Sequence, residues 1–289
     1  MKPSHRLLLL LSSAAAVSAC SPRRAAELFL LGSHFDAVQD LPYGEGPRQR
    51  LDVYSPRDVG GRPAPVIVFL YGGRWQQGSN DEYRLVGSAL TGRGFVAVVP
   101  DYRLYPEVRF PAWVDDAAQA LRWVSDSIRR FGGDPSHIVV VGHSAGAHTA
   151  ALLALDEGYL RRAGVPPEAV RGVVSIAGPV ATEWTDRDVQ ALMGPREGWP
   201  ATYPLRHVGG SQPPMLLLHG GRDETVSPKN STEFAALVRE RGGCARAIVY
   251  QGLGHVSIAV ALAVPGLGLA PVLDQVAAFA REPAIVCGA

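Results

Sequence analysis

A serine with a glycine two residues before it and another two residues after it is the first feature of this sequence that could do chemistry. Residues 142–146 read Gly-His-Ser-Ala-Gly, with Ser144 at the centre. A β-branched apolar run, residues 138–141, comes immediately before this pentapeptide, and an Ala- and Leu-rich helical pattern follows it. A strand, a sharp turn and a helix in this order expose a serine side chain near the positive end of the helix dipole. The sequence therefore predicts that Ser144 is a nucleophile.

A serine hydroxyl needs a base to act as a nucleophile at neutral pH. Among the eight histidines, His255 is the best candidate, because it follows a predicted strand through a flexible Gly-Leu-Gly segment. Asp223 follows another predicted strand and could hold one imidazole nitrogen, so that the other nitrogen takes the serine proton. The neighbouring Glu224 is the rival acid. We predict that Ser144, Asp223 and His255 form one catalytic triad.

A second loop could stabilise the negative charge that develops on an acyl carbonyl oxygen. Residues 71–75 read Tyr-Gly-Gly-Arg-Trp and follow a run that is predicted to be a strand. Gly72 and Gly73 allow the backbone to turn its N–H groups inward without side-chain obstruction. The N–H of Ala145, directly after the predicted nucleophile, would be the partner donor. We therefore predict an oxyanion hole formed by Gly72, Gly73 and Ala145, in which the loss of one donor costs about 3 kcal/mol.

Together these motifs resemble the α/β-hydrolase superfamily, and more narrowly its carboxylesterase, feruloyl/acetyl-xylan-esterase-like and kynurenine-formamidase-like group. Residues 71–75 are similar to the H-G-G-x-W of this group, and residues 101–107 are similar to its D-Y-R-L-x-P-E. The His-Gly at 219–220 with Asp223 is similar to its acid loop. The resemblance covers roughly residues 51–281. It implies a serine hydrolase that cleaves small acyl or aryl esters through an acyl-enzyme.

Two parts of the chain depart from the pattern of this group. Tyr71 stands where the group often has histidine, which leaves the glycine donors intact but could change the hydrogen bonds that support the loop. Residues 175–213 contain Trp184 and carry no obvious family motif. Tyr71, Trp75 and Trp184 are candidates for a substrate pocket, and ordinary packing beneath a long connection is the alternative for Trp184.

The elements that must position these residues alternate along the chain. Short β-branched runs bounded by Gly or Pro suit parallel strands buried on both faces, and helical patterns lie between them. This alternation predicts an α/β fold with a doubly wound, mostly parallel sheet, helices on both faces and a ligand site beyond the carboxyl ends of the strands. The predicted strands are 51–54, 65–70, 94–100, 138–141, 170–176, 215–218 and 247–250, and the predicted helices are 111–130, 145–156, 227–241 and 269–281.

The first twenty residues predict export. A basic segment and a short apolar stretch precede Val-Ser-Ala-Cys20, which resembles the bacterial lipobox. In that family the cysteine becomes the lipidated first residue, so Cys20 would anchor the protein to a membrane of the cell envelope. Simple cleavage after Ala19, which leaves a secreted protein, and an untargeted N-terminus are the alternatives. The predicted organisation is a lipoprotein signal peptide at 1–19, a tether at 20–40 and a catalytic domain at 41–289.

The composition narrows the possible functions. Hydrophobic residues make up 47% of the 289 residues, which excludes a mostly disordered chain. The formal net charge of +1 argues against a nucleic-acid partner. No metal-ligand spacing is visible, so we expect neither a metal nor an organic cofactor.

After export, Cys244 and Cys287 could pair or remain two thiols. An arylformamidase or amidase on the same triad, and a non-catalytic envelope binding protein with this fold, stay open as alternatives.

Overall fold

The computed structural model describes residues 35–57 and 60–288, and these residues build one mixed eight-stranded sheet. The strands follow the order β1-β2-β4-β3-β5-β6-β7-β8 across the sheet. Strand β2 pairs antiparallel with β1 and β4, and the pairs from β4 to β8 are parallel. The predicted mostly parallel sheet is confirmed. The strands are β1 (Phe35–Pro42), β2 (Arg50–Pro56), β3 (Ala64–Leu70), β4 (Val96–Pro100), β5 (Gly133–His143), β6 (Val170–Ile176), β7 (Met215–Gly220) and β8 (Ala245–Tyr250).

The central strands are apolar on both faces, and helices cover them. Ile67 and Val68 in β3 point to opposite faces, and both are fully buried. Helices α2, α3 and α4 contact one another, and α1, α8 and α9 form a second group. In the described part of the chain, no helix is both long and apolar enough to cross a membrane. The helices are α1 (Arg84–Thr91), α2 (Ala112–Ser127), α3 (Ala145–Leu155), α4 (Glu157–Arg162), α5 (Arg187–Met193), α6 (Trp199–Thr202), α7 (Lys229–Glu240), α8 (His255–Ala263) and α9 (Val272–Arg281).

The first strand corrects the predicted tether. The prediction extends the tether to residue 40, but residues 35–40 belong to β1, which pairs with β2. Most side chains of β1 are exposed, because β1 lies at the edge of the sheet. The strand therefore has neither the apolar run nor the alternation that would predict it. The predicted signal peptide and Cys20 lie outside the described residues.

A disulfide joins Cys244 to Cys287, with a Cα–Cα distance of 4.6 Å. Of the two alternatives for these cysteines, the structure shows the pair. The bridge connects the segment before β8 to the chain beyond α9. Because Cys244 precedes β8 and His255 follows it, the bridge and the predicted base belong to opposite ends of this strand.

Candidate active site

The predicted nucleophile lies on a strained turn between β5 and α3. Ser144 has φ 55° and ψ −119°, a conformation that non-glycine residues seldom adopt. A Cβ atom at Gly146 would lie 2.1 Å from the carbonyl oxygen of Leu70, so the start of α3 packs directly on the end of β3. This close approach explains why a glycine follows two residues after the serine. The strand, turn and helix predicted around Ser144 are present.

The structure brings the three predicted triad residues together from three separate elements. The Nε2 atom of His255, at the start of α8, lies 2.9 Å from the Oγ atom of Ser144. The Nδ1 atom of His255 lies 2.8 Å from Oδ2 of Asp223, in the loop after β7. Glu224, the rival acid, is exposed. These distances allow a proton to pass from the serine hydroxyl to the imidazole.

The carboxylate of Asp223 is held in its charged form. Its Oδ1 atom accepts hydrogen bonds from the N–H groups of Thr225 and Val226, at 2.9 and 2.8 Å. Burial opposes the charge, but hydrogen bonds from His219, His255 and the Val226 N–H outweigh it and hold the pKa of Asp223 well below its ordinary value. An ionised carboxylate can fix the orientation of the imidazole that it contacts. Within residues 35–57 and 60–288, no three His, Cys, Asp or Glu side chains are grouped so that they could hold a metal ion.

The oxyanion loop, residues 71–80, approaches the serine closely. A Cβ atom at Gly72 would lie 3.0 Å from the Cβ atom of Ser144, so a larger residue would crowd the hydroxyl. Gly72, Gly73 and Ala145 remain the predicted donors. Ala145 is the first residue of α3, and its N–H therefore has no acceptor inside the helix.

Comparison with known proteins gives the family. The BD-FAE family model matches residues 51–238. The chain belongs to the BD-FAE family. The probable isoprenylcysteine alpha-carbonyl methylesterase ICME of Oryza sativa subsp. japonica is 28% identical over 76% of this chain and 58% of its own length. Esterase LipC of Mycobacterium tuberculosis (strain ATCC 25618 / H37Rv) is 32% identical over 68% of this chain and 54% of its own length. The chain thus spans about half the length of the curated relatives it matches.

Known structures confirm the fold of this BD-FAE family member. A hyperthermophilic esterase from the archaeon Pyrobaculum calidifontis superposes with a TM-score of 0.72 and 27% sequence identity. The match covers 91% of this chain and 92% of the archaeal chain. The predicted resemblance to the carboxylesterase-like group of α/β-hydrolases is therefore confirmed.

Tyr71 does not line a pocket in this BD-FAE family member. Its side chain is fully buried, so the prediction that it contacts substrate is wrong. The hydroxyl donates to Oδ1 of Asp101 at 2.7 Å and accepts from Nη2 of Arg48 at 3.0 Å. The ring stacks on Tyr83 and Tyr102, with centroid distances of 5.2 and 4.6 Å. Tyr71, at the position where the group often has histidine, is thus a buried polar anchor of the loop.

Trp75 and Trp184 pack against each other beside α3. Their ring centroids are 6.0 Å apart in an edge-to-face arrangement, and only 2% and 6% of their surfaces are exposed. The ring of His148, one turn after the nucleophile, lies 5.1 and 5.3 Å from the two indoles. Most of their area therefore packs inside the protein. A contact of these two residues with substrate stays a prediction.

His143 is a neighbour of the base that its sequence position alone does not reveal. Its Nε2 atom donates to the carbonyl oxygen of His255 at 3.0 Å, because a carbonyl can only accept. Burial and the nearby His255 lower the pKa of His143 to about 4. The Oγ atom of Ser257 accepts from the N–H of Gly254 at 2.8 Å and closes the first turn of α8. Both contacts fix the backbone that carries the base.

Proposed function

We propose that this protein is a serine carboxylic ester hydrolase that acts on small acyl or aryl esters. The observation that carries the proposal is the continuous chain of hydrogen bonds from Ser144 through His255 to Asp223, at 2.9 and 2.8 Å. The esterase names of the relatives support the same class of reaction. The exposed fraction of the His255 side chain is 14%, whereas that of the Asp223 side chain is 0%. The base is thus partly open to solvent, and the carboxylate behind it is buried.

The geometry supports a two-step reaction. The Oγ atom of Ser144 attacks the acyl carbonyl carbon, and Nε2 of His255 takes the hydroxyl proton. The negative charge on the carbonyl oxygen is stabilised by the N–H groups of Gly72, Gly73 and Ala145. When the carbon–oxygen ester bond breaks, His255 returns the proton to the leaving alcohol. Water then attacks the acyl-enzyme, with His255 again taking the proton. The bond between the acyl carbon and Oγ of Ser144 breaks, His255 returns the proton to Oγ, and the carboxylic acid product leaves. Asp223 keeps the imidazole in the required tautomer throughout.

Replacement of the serine hydroxyl tests the proposal. Ser144→Ala removes the nucleophile, so hydrolysis of 4-nitrophenyl acetate should fall by a factor on the order of 10⁴ or more. Ser125→Ala is the matched control, because this serine lies on α2 and its Oγ atom has no hydrogen-bond partner among the described residues. The control should keep full activity. A fluorophosphonate probe should label the unchanged protein and Ser125→Ala, but not Ser144→Ala. Full activity in Ser144→Ala would rule out this nucleophile.

We also propose that a lipid at Cys20 anchors the protein to a membrane of the cell envelope. The Val-Ser-Ala-Cys sequence supports this, and the Cys244–Cys287 disulfide agrees with an oxidising compartment. The intact mass of the protein from its native host should correspond to a chain that begins at Cys20 and carries acyl groups. A mature chain that begins at Cys20 without acyl groups would instead indicate a secreted protein.

A further inference from the structure

A second histidine contacts the carboxylate that holds the proposed base. The Nε2 atom of His219 lies 3.2 Å from Oδ2 of Asp223. The same oxygen lies 2.8 Å from Nδ1 of His255. The side chains of His219 and Asp223 are both fully buried, so water does not compete for this contact. One carboxylate oxygen is therefore shared between two imidazoles.

The contacts of His219 determine where its proton lies. Besides Oδ2 of Asp223, the Nε2 atom faces the carbonyl oxygen of Val226 at 2.9 Å. A carbonyl and an ionised carboxylate only accept hydrogen bonds, so Nε2 must carry a hydrogen. The Nδ1 atom lies 2.7 Å from the Oγ atom of Ser231, whose hydroxyl can donate to it. Both ring nitrogens of His219 are thus engaged within the protein.

His219 connects three elements around the acid. It lies in β7, Asp223 lies in the loop that follows, and Ser231 lies in α7. Oδ1 of Asp223 accepts two backbone N–H groups. The Nε2–H group of His219, which hydrogen-bonds to the carbonyl oxygen of Val226, lies 3.2 Å from Oδ2 and places positive charge beside that oxygen. This N–H group draws negative charge away from the bond between Oδ2 and His255. It therefore weakens the pull of the carboxylate on a protonated imidazole.

We propose that His219 is a positioning residue that orients Asp223 and limits how strongly Asp223 stabilises the protonated form of His255. The inference rests on the proposed function, because the proposed function assigns the acid and base roles to Asp223 and His255. Among the described residues, His143 also faces this pair, with its ring centroid 5.0 Å from that of His255. The side chains of Arg222 and Glu224, which flank the acid in the chain, are exposed.

Two neutral replacements separate the role of Nε2 from that of the rest of the ring. In His219→Gln, the amide nitrogen extends to about the place of Nε2 and can still donate to Asp223. In His219→Asn, the shorter amide reaches only the place of Nδ1. Without the Nε2–H group of His219, Asp223 stabilises the protonated form of His255 more strongly. Activity requires the neutral form of His255. The acid limb of kcat/KM should therefore move to higher pH by roughly half to one pH unit in His219→Asn.

The matched variants decide the outcome. His219→Gln should keep the acid limb close to that of the unchanged enzyme, and so should His207→Gln, which replaces a histidine outside the site. An unchanged acid limb in His219→Asn, or a limb that moves to lower pH, would overturn the inference. Either result can occur while Ser144→Ala is inactive. The failure of this inference is therefore distinct from a failure of the proposed function.

A measurement on the unchanged protein covers the case in which His219→Asn does not fold. Nitrogen-15 NMR of the histidine rings distinguishes a protonated ring nitrogen from a bare one. At neutral pH, the Nε2 atom of His219 should give the signal of a protonated ring nitrogen. A bare Nε2 would contradict the proposed donor to Asp223 without the use of any variant.

Discussion

At the scale of single residues, Tyr71 connects the oxyanion loop to the partly buried charged pair of Arg48 and Asp101. Oδ1 of Asp101 accepts from the Tyr71 hydroxyl and from the N–H of Asn80, each at 2.7 Å. Arg48 donates to the Tyr71 hydroxyl and, at 2.6 Å, to the carbonyl oxygen of Gly78. One carboxylate thus holds both ends of the loop that carries the predicted donor N–H groups. The hydroxyl stays protonated, because burial and the nearby carboxylate raise the pKa of Tyr71.

Tyr71→Phe should lower kcat more than it changes KM. The substitution removes only the hydroxyl, so the ring still packs while Arg48 and Asp101 each lose a partner. We expect kcat to fall by about threefold to tenfold, because the donors act on the transition state, and the free energy of unfolding to fall by about 1–2 kcal/mol. Steady-state kinetics and urea unfolding measure the two effects.

Tyr54→Phe provides a matched control for this prediction. The buried hydroxyl of Tyr54 donates to Oδ2 of Asp52 at 3.0 Å, so its removal also breaks a buried tyrosine–aspartate hydrogen bond. It should lower stability to a similar degree and leave kcat unchanged. An equal loss of kcat in both variants would mean that the effect comes from general destabilisation and not from the position of the loop.

At the scale of elements, the sequence contains enough information to place the triad. Buried parallel strands leave a strong pattern of β-branched runs, and the three predicted triad residues follow the carboxyl ends of such strands. Ser144 comes directly after β5, Asp223 follows β7, and His255 follows β8. The carboxyl ends of parallel strands all lie on the same side of the sheet. The order of the strands therefore brings these three residues near each other.

The features that could not be predicted depend on contacts between distant segments. Strand β1 is exposed and borders only β2, so no hydrophobic pattern marks it. The anchor of the oxyanion loop requires Arg48, from the segment before β2, to reach Tyr71 at the end of β3. Whether a tyrosine after a strand faces a pocket or the interior is set by these partners. Its residue type does not decide it.

At the scale of the whole molecule, buried neutral histidines make stability depend on pH. Burial lowers the pKa of His143 and His148 to about 4, from an ordinary value of 6.5 that they regain on unfolding. Below about pH 6.5 the unfolded chain binds protons that the native protein does not, so stability falls as the pH drops towards 4. The lowered pKa of Asp223 extends this loss to lower pH, whereas the raised pKa values of Asp52 and Asp101 oppose it.

His148→Gln isolates one of these contributions. The Nε2 atom of His148 contacts the carbonyl oxygen of Thr202 at 2.7 Å, and a glutamine amide can donate to the same oxygen without titrating. Between pH 6.5 and 4, the unchanged protein should therefore lose more unfolding free energy than the variant, by up to about 3 kcal/mol. Urea unfolding at a series of pH values measures both slopes.

The comparison of slopes is robust to the loss of packing that the substitution causes. The imidazole of His148 lies against Trp75 and Trp184, so the variant starts from a lower stability at neutral pH. That loss is the same at every pH, whereas the protonation effect grows as the pH falls. His207→Gln, at a histidine outside the core, should keep the slope of the unchanged protein. Equal slopes for His148→Gln and the unchanged protein would mean that His148 takes up its proton without unfolding.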